Sequence, residues 1–139
     1  RDTLPRLDCF CDARTRAARK YSAGFEHHSF FMVPKTVKGC EGICDVCDCH
    51  VFHLYTLRIT IGNREAVVTF LNDNSIPCGV YYPIPLHKQK AYLDDRYKEA
   101  DFPVTNQLVT EVISLPMHTE LDDEQINHIT AMVIEFMKS

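Results

Sequence analysis

Two short segments of this sequence concentrate side chains that can do chemistry. Cys40, Cys44, Cys47 and Cys49 are followed closely by His50 and His53, thiols and imidazoles of the kinds that hold zinc or an iron–sulfur cluster. Their spacing is irregular. A structural zinc needs four donors in a tetrahedron, and Cys49 and His50 are neighbours at the start of an extended run, where adjacent side chains point to opposite faces. Gly39 and Gly42 loosen the approach, and Glu41, Asp45 and Asp48 disfavour thiolates beside them. The expectation is a metal-free loop with accessible thiols of ordinary or low reactivity. The alternative is a metal-binding interaction module.

The second segment runs Val80-Tyr81-Tyr82-Pro83-Ile84-Pro85-Leu86-His87-Lys88-Gln89. Its phenols, imidazole, ammonium and amide suit the hydroxyls and phosphates of a sugar nucleotide, and the tyrosine rings offer faces to a sugar or a base. The prolines stiffen the loop, which lowers the cost of ordering it on binding. The competing reading puts the tyrosines in the core and the rest in solvent. No hydrolase elbow, phosphate-cradling loop or dinucleotide fingerprint occurs, and the five glycines are scattered. Asp94-Asp95 and Asp122-Asp123-Glu124 read as turn and helix-start residues rather than catalytic carboxylate pairs.

These segments need elements to position them. Leu7, Phe10, Arg14, Ala17 and Tyr21 recur by threes and fours, which predicts a helix from Leu4 to Tyr21 ended by Gly24. Phe30–Val33 reads as a short strand before Pro34. Val51–Ile61, rich in β-branched and aromatic residues with apolar side chains on both faces, reads as the central strand. Asn63 caps a helix whose buried stripe is Val67, Phe70 and Leu71, and Ile76–Tyr82 reads as the next strand. Pro83, Pro85 and Pro103 leave residues 83–103 irregular, and a loop of that length is usually functional. A helix over Val104–Val112 follows. Asp122 and Gln125 then open a last helix that turns Ile126, Ile129, Val133 and Phe136 inward. The pattern predicts one α+β domain over residues 1–139, a small two-layer sandwich in which helices cover a short, mainly antiparallel sheet.

The 139 residues are 45% apolar and 24% charged with a formal charge of −4, a soluble usage with no cationic field for nucleic acid and no apolar run of membrane-spanning length. Neither a nucleic-acid nor a membrane partner is expected. Seven cysteines cannot all pair within one chain, which favours a reducing, cytoplasmic setting. Arg1 and the residues after it lack a signal-peptide pattern, and the start reads as a cut or boundary.

The stretch Asn74-Ser75-Ile76-Pro77-Cys78-Gly79-Val80-Tyr81-Tyr82-Pro83-Ile84-Pro85-Leu86-His87-Lys88-Gln89 resembles the signature loop of the DegT/DnrJ/EryC1/StrS sugar aminotransferases. Three further segments resemble the family in the same order: Leu4–Asp8 with the Arg14–Tyr21 helix, His50–Arg58 with Asn63–Glu65, and Ser114–His118 before Leu121–Ile126. The resemblance covers nearly the whole chain and implies the C-terminal small domain of a fold-type I, pyridoxal-phosphate-dependent enzyme that aminates nucleotide-linked keto sugars for amino-sugar and surface-polysaccharide biosynthesis. In the family the Schiff-base lysine and the carboxylate facing the cofactor ring lie in the preceding large domain. No lysine of this sequence sits in a segment resembling that motif. The chain by itself is therefore expected to hold no cofactor, to carry no catalytic residue and to be inactive.

Carried over from the signature loop, Tyr81, Tyr82 and His87 would line the substrate end of the site, with His53 and Tyr55 as further candidates. Position 81 is Tyr where many relatives have His, which alters the hydrogen bonding offered there. A nucleotide sugar is the expected partner, held weakly because half of the site would be missing. A homodimer is a further expectation, since apolar surface made for the larger domain would lie open. A free-standing sugar-nucleotide-binding module derived from the family is the alternative.

Overall fold

The computed structural model describes residues 4–35 and 50–139. A single 3-10 turn, Leu4–Arg6, leads into α1 (Leu7–Phe25), which runs past Gly24 and ends one residue later. The bare Cα of Gly24 lies against Thr130 of the last helix: a Cβ there would fall 2.6 Å from Thr130 Cγ2. Glycine at this position serves close helix packing rather than termination, which is why the helix continues through it.

Three strands, β1 (Phe31–Met32), β2 (Tyr55–Ile59) and β3 (Val112–Leu115), form an antiparallel sheet in the order β1-β2-β3. Central placement of the best strand is as the sequence predicts, but the strand is five residues long, not eleven. Its register pairs Phe31 with Ile59, Leu57 with Ile113 and Tyr55 with Leu115. Directly opposed residues share a face, so these six buried side chains form one apolar sheet surface. Thr56, Arg58, Val112 and Ser114 share the other. There Arg58 donates to Glu111 Oε2 from Nε at 2.8 Å and from Nη2 at 2.6 Å.

Helices α1, α2 (Arg64–Asp73) and α4 (Asp123–Lys138) share the core with the apolar face. The Tyr21 ring lies 4.9 Å from Tyr55, Phe25 meets Phe31 edge-on at 5.0 Å, and Phe70 of α2 stacks on Phe136 of α4 at 4.6 Å. Side chains of the expected stripes, Val67 and Leu71 on α2 and Ile126, Ile129 and Val133 on α4, are buried. Both caps form as read. Asn63 accepts from the Ala66 amide, and Asp122 and Gln125 accept reciprocally from each other's backbone amides. The two-layer α+β arrangement is the one expected.

Two strand expectations fail together. Ile76–Tyr82 is not a strand: only Gly79 pairs, as an isolated antiparallel bridge to Ser114. The third strand is instead Val112–Leu115, which follows α3 (Pro103–Glu111) without a break. Pro77 has no amide to give, and Pro83 turns the chain away. β3 therefore keeps β2 on one side and a single bridge on the other. No described helix is long and apolar enough to cross a membrane.

Candidate functional site

The loop from Ile76 to Phe102 leaves the core at a firm anchor. Ile76 is buried. Gly79 donates to the Ser114 carbonyl at 3.2 Å and accepts from its amide at 2.7 Å. Beyond this bridge the backbone turns outward through Tyr81 and Tyr82, which are joined by a cis peptide bond. Their rings meet edge to face at 6.3 Å, and the residues are 54% and 78% exposed. The tyrosines are thus surface groups, as a binding role requires, and not core.

After Pro85 the chain makes a tight turn, Leu86–Lys88, closed by Gln89 Nε2 donating to the Ile84 carbonyl. The His87 ring stacks on Phe102 at 4.4 Å with 18° between planes, and its Nε2 is buried without a partner in the structure. Lys88 pairs with Glu99, and this hydrogen bond and charge hold the Glu99 carboxyl below the usual range. Asn106 of α3 donates to the Glu99 carbonyl at 2.7 Å. These contacts tie the far end of the loop to the start of α3.

Two cavities flank the loop. The larger, about 770 Å³, is lined by Leu86, His87, Tyr92, Leu93, Tyr97 and Phe102 among others, with Asp94 and Thr105 as polar lining. Asp94 is held by Arg96, whose hydrogen bonds lower its carboxyl below the ordinary value. The smaller, about 190 Å³, lies between Tyr81, Gly79, Cys78 and Pro77 on one side and Leu54, Leu115 and Met117 on the other. Burial pushes the Cys78 thiol up, which keeps it protonated and a poor nucleophile.

The two remaining candidates lie at the start of β2. His53 is exposed just before β2. Tyr55 is fully buried in the core, its hydroxyl 3.0 Å from Ser22 Oγ, and presents no surface to a ligand. Register puts it there: it shares the apolar face with Leu57 and Ile59. Tyr81, Tyr82 and His87 lie on one loop, whereas His53 and Tyr55 flank Leu54, which lines the smaller cavity together with Tyr81. Sequence reasoning missed Tyr92, Tyr97 and Phe102, which supply most of the aromatic wall of the larger cavity. The signal available was three aromatic residues inside an irregular segment of functional length.

Cys40, Cys44, Cys47 and Cys49 lie outside the described residues. Among those described, no group of three His, Cys, Asp or Glu side chains gathers as a metal site would require. A Schiff-base lysine must shed its proton through desolvation or a neighbouring cation. Lys20 instead pairs with Asp123 at 2.5 Å and Lys88 with Glu99, while Lys35, Lys90, Lys98 and Lys138 are exposed. The described residues do not fit the covalent seat of pyridoxal phosphate.

With a two-layer fold and an exposed Tyr-Tyr-Pro loop, residues 1–134 match the DegT/DnrJ/EryC1/StrS aminotransferase family, and the chain belongs to it. It is 33% identical over 137 residues to a pleiotropic regulatory protein of Geobacillus stearothermophilus, covering 97% of this chain and 34% of that protein. It is 33% identical over 136 residues to a UDP-N-acetyl-3-dehydro-alpha-D-glucosamine 3-aminotransferase of Acidithiobacillus ferrooxidans, covering 96% of this chain and 32% of that one. Among solved structures, DesV of S. venezuelae, captured with a ketimine intermediate, superposes with a TM-score of 0.83 at 25% identity over 98% of this chain and 34% of its own. A DegT DnrJ EryC1 StrS aminotransferase from Brucella abortus gives 0.80 at 27%, covering 98% of this chain and 33% of that one. The chain thus spans about a third of the length of the relatives it matches.

Proposed function

We propose that these residues form the substrate-side, C-terminal part of a pyridoxal-phosphate-dependent aminotransferase that acts on nucleotide-linked keto sugars in amino-sugar and surface-polysaccharide biosynthesis. The cofactor chemistry belongs to a further portion, of the size by which the relatives exceed this chain. The share of the residues in hand is binding and orientation: Tyr81 and Tyr82 offer hydroxyls and ring faces to the sugar end, and His87, stacked on Phe102 further along the same loop, offers an imidazole. The observation that carries this reading is the exposed Tyr81–Tyr82 pair just beyond the Gly79–Ser114 bridge, with Tyr81 walling the smaller cavity. The exposed apolar run Tyr82, Ile84, Leu86, Tyr92, Leu93, Tyr97 and Val104 agrees with a face that is covered in the whole protein, by the cofactor portion or by a second copy.

The test is a titration of the isotope-labelled chain with UDP-N-acetylglucosamine followed by NMR. Shifts concentrated at residues 79–89, saturating with weak affinity, are the expected result, because binding must offset several kcal/mol of lost rigid-body freedom with half of the contacts absent. Shifts confined to other parts of the fold would remove the reading. Sub-micromolar affinity would favour a free-standing sugar-nucleotide module instead.

A further inference from the structure

We propose that Gly79 is the positioning residue for Tyr81: the missing side chain at 79 is what lets the phenol fold back over the chain and set its hydroxyl at the rim of the smaller cavity. The geometry is specific. A Cβ placed on Gly79 would fall 2.9 Å from both Cζ and Oη of Tyr81 and 3.0 Å from Cε2, closer than such atoms pack. The phenol's outer end therefore rests on the Gly79 backbone, and Tyr81 and Gly79 together wall the cavity of about 190 Å³.

Conformational freedom does not explain this glycine. Gly62 is the glycine with a positive φ among the described residues, and Gly79 lies outside the left-handed region. Its amide and carbonyl are both used by Ser114 in an ordinary antiparallel bridge that an alanine would keep. The obstacle to a side chain is the far end of one flexible, 54%-exposed ring, which can swing into solvent. A methyl group at 79 is thus expected to spare the fold and move Tyr81. Gly79 acts through that ring, and its functional consequence rests on the substrate-side reading of the loop. A bulky ring at 81 makes the bare neighbour two residues back a requirement, linking the two positions as one determinant of which sugar end fits.

The experiment uses the 139-residue chain and its G79A, Y81F, Y81A and G79A/Y81A variants, with UDP-N-acetylglucosamine as the probe. In the parent, nuclear Overhauser contacts between the Tyr81 ring and the Gly79 α-protons are expected. In G79A the contacts from Tyr81 to position 79 should disappear while the Ser114 amide stays protected from exchange. Probe affinity should fall about 5-fold in G79A, the equivalent of one ordinary hydrogen bond, and by a similar factor in Y81F, which keeps the ring seated and loses only the hydroxyl. G79A should add nothing in the Y81A background, the non-additivity expected when one residue acts through another. If G79A melts early, recovery of its melting temperature in G79A/Y81A assigns the damage to the ring clash and supports the proposal. Persistence of the Tyr81 contacts in G79A, or an equal loss of affinity with and without the Tyr81 ring, would overturn it. Should the probe leave the parent's loop unperturbed, the substrate-side reading falls, and the contacts in G79A still decide whether Gly79 seats Tyr81.

Discussion

Tyr55 offers a sharp test of how this core is built, because one atom separates it from phenylalanine and pH separates two contributions of that atom. Its ring is fully buried, and burial first, then the carboxylate of Glu26, pushes the phenol up to about 12 against the restraining hydrogen bond with Ser22. Below the unfolded value of 10 the neutral phenol costs folding nothing, and Y55F should lose only the hydrogen bond, about 1 kcal/mol. Above it the sign turns. The folded value lies above the unfolded one, so stability is fully present below pH 10 and is lost as pH rises through 12. At pH 11 the unfolded phenol is mostly ionised and the folded one mostly not, a penalty of about 1.4 kcal/mol that Y55F escapes. Tyr21 is pushed up by burial and then by Tyr55, and it loses the second influence in the variant, which adds in the same direction. The parent should therefore be more stable by about 1 kcal/mol at pH 8 and equal to or below Y55F at pH 11. Urea unfolding of both proteins at the two pH values measures this, with other alkaline effects cancelling in the difference. A stability gap that is the same at pH 8 and pH 11 would refute the reasoning. Because Tyr55 offers no surface to a ligand, Y55F should also leave binding of UDP-N-acetylglucosamine unchanged.

Other outcomes follow from the same structure. Asp122→Ala removes one half of a reciprocal cap on α4 and should cost about 1 kcal/mol in urea unfolding, with faster amide exchange confined to the first turn of the helix. Burial alone would raise the Glu111 carboxyl, but hydrogen bonds from Arg58 and Gln107 and the charge of Arg58 outweigh it and hold it below its ordinary value. Its contribution is present above the unfolded carboxylate value and fades as pH falls through the lower folded one, so Glu111→Gln should flatten the acid side of the stability profile measured by thermal melts between pH 3 and 6, a range of about 1.5 units either side of the ordinary carboxyl value. Incubation with pyridoxal phosphate followed by borohydride reduction should label no single lysine stoichiometrically, since the described lysines are exposed or ion-paired. Mass spectrometry finding one fully modified lysine would contradict that.

The sequence by itself determined what short-range chemistry controls. Asn63, and Asp122 with Gln125, announce helix starts because a side-chain oxygen satisfies a free amide a few residues away, wherever the helix then packs. The buried stripes of α2 and α4 follow from the helical repeat, and the alternation Tyr55, Leu57, Ile59 from the strand repeat. The signature loop was legible as a proline-stiffened run of donors. Tertiary structure decided what depends on partners distant in the chain. Val112–Leu115 is a strand because β2 supplies the hydrogen bonds that a four-residue run cannot announce, and Ile76–Tyr82 is not one because only Gly79 finds a partner at Ser114. Register set Tyr55 against Tyr21 and Leu115 in the core. The stacking of His87 on Phe102 and the seating of Tyr81 on Gly79 are likewise contacts of the folded chain. A residue's type limits the chemistry it can do, but its surroundings, set by packing across the whole chain, decide whether it meets solvent, a ligand or the core.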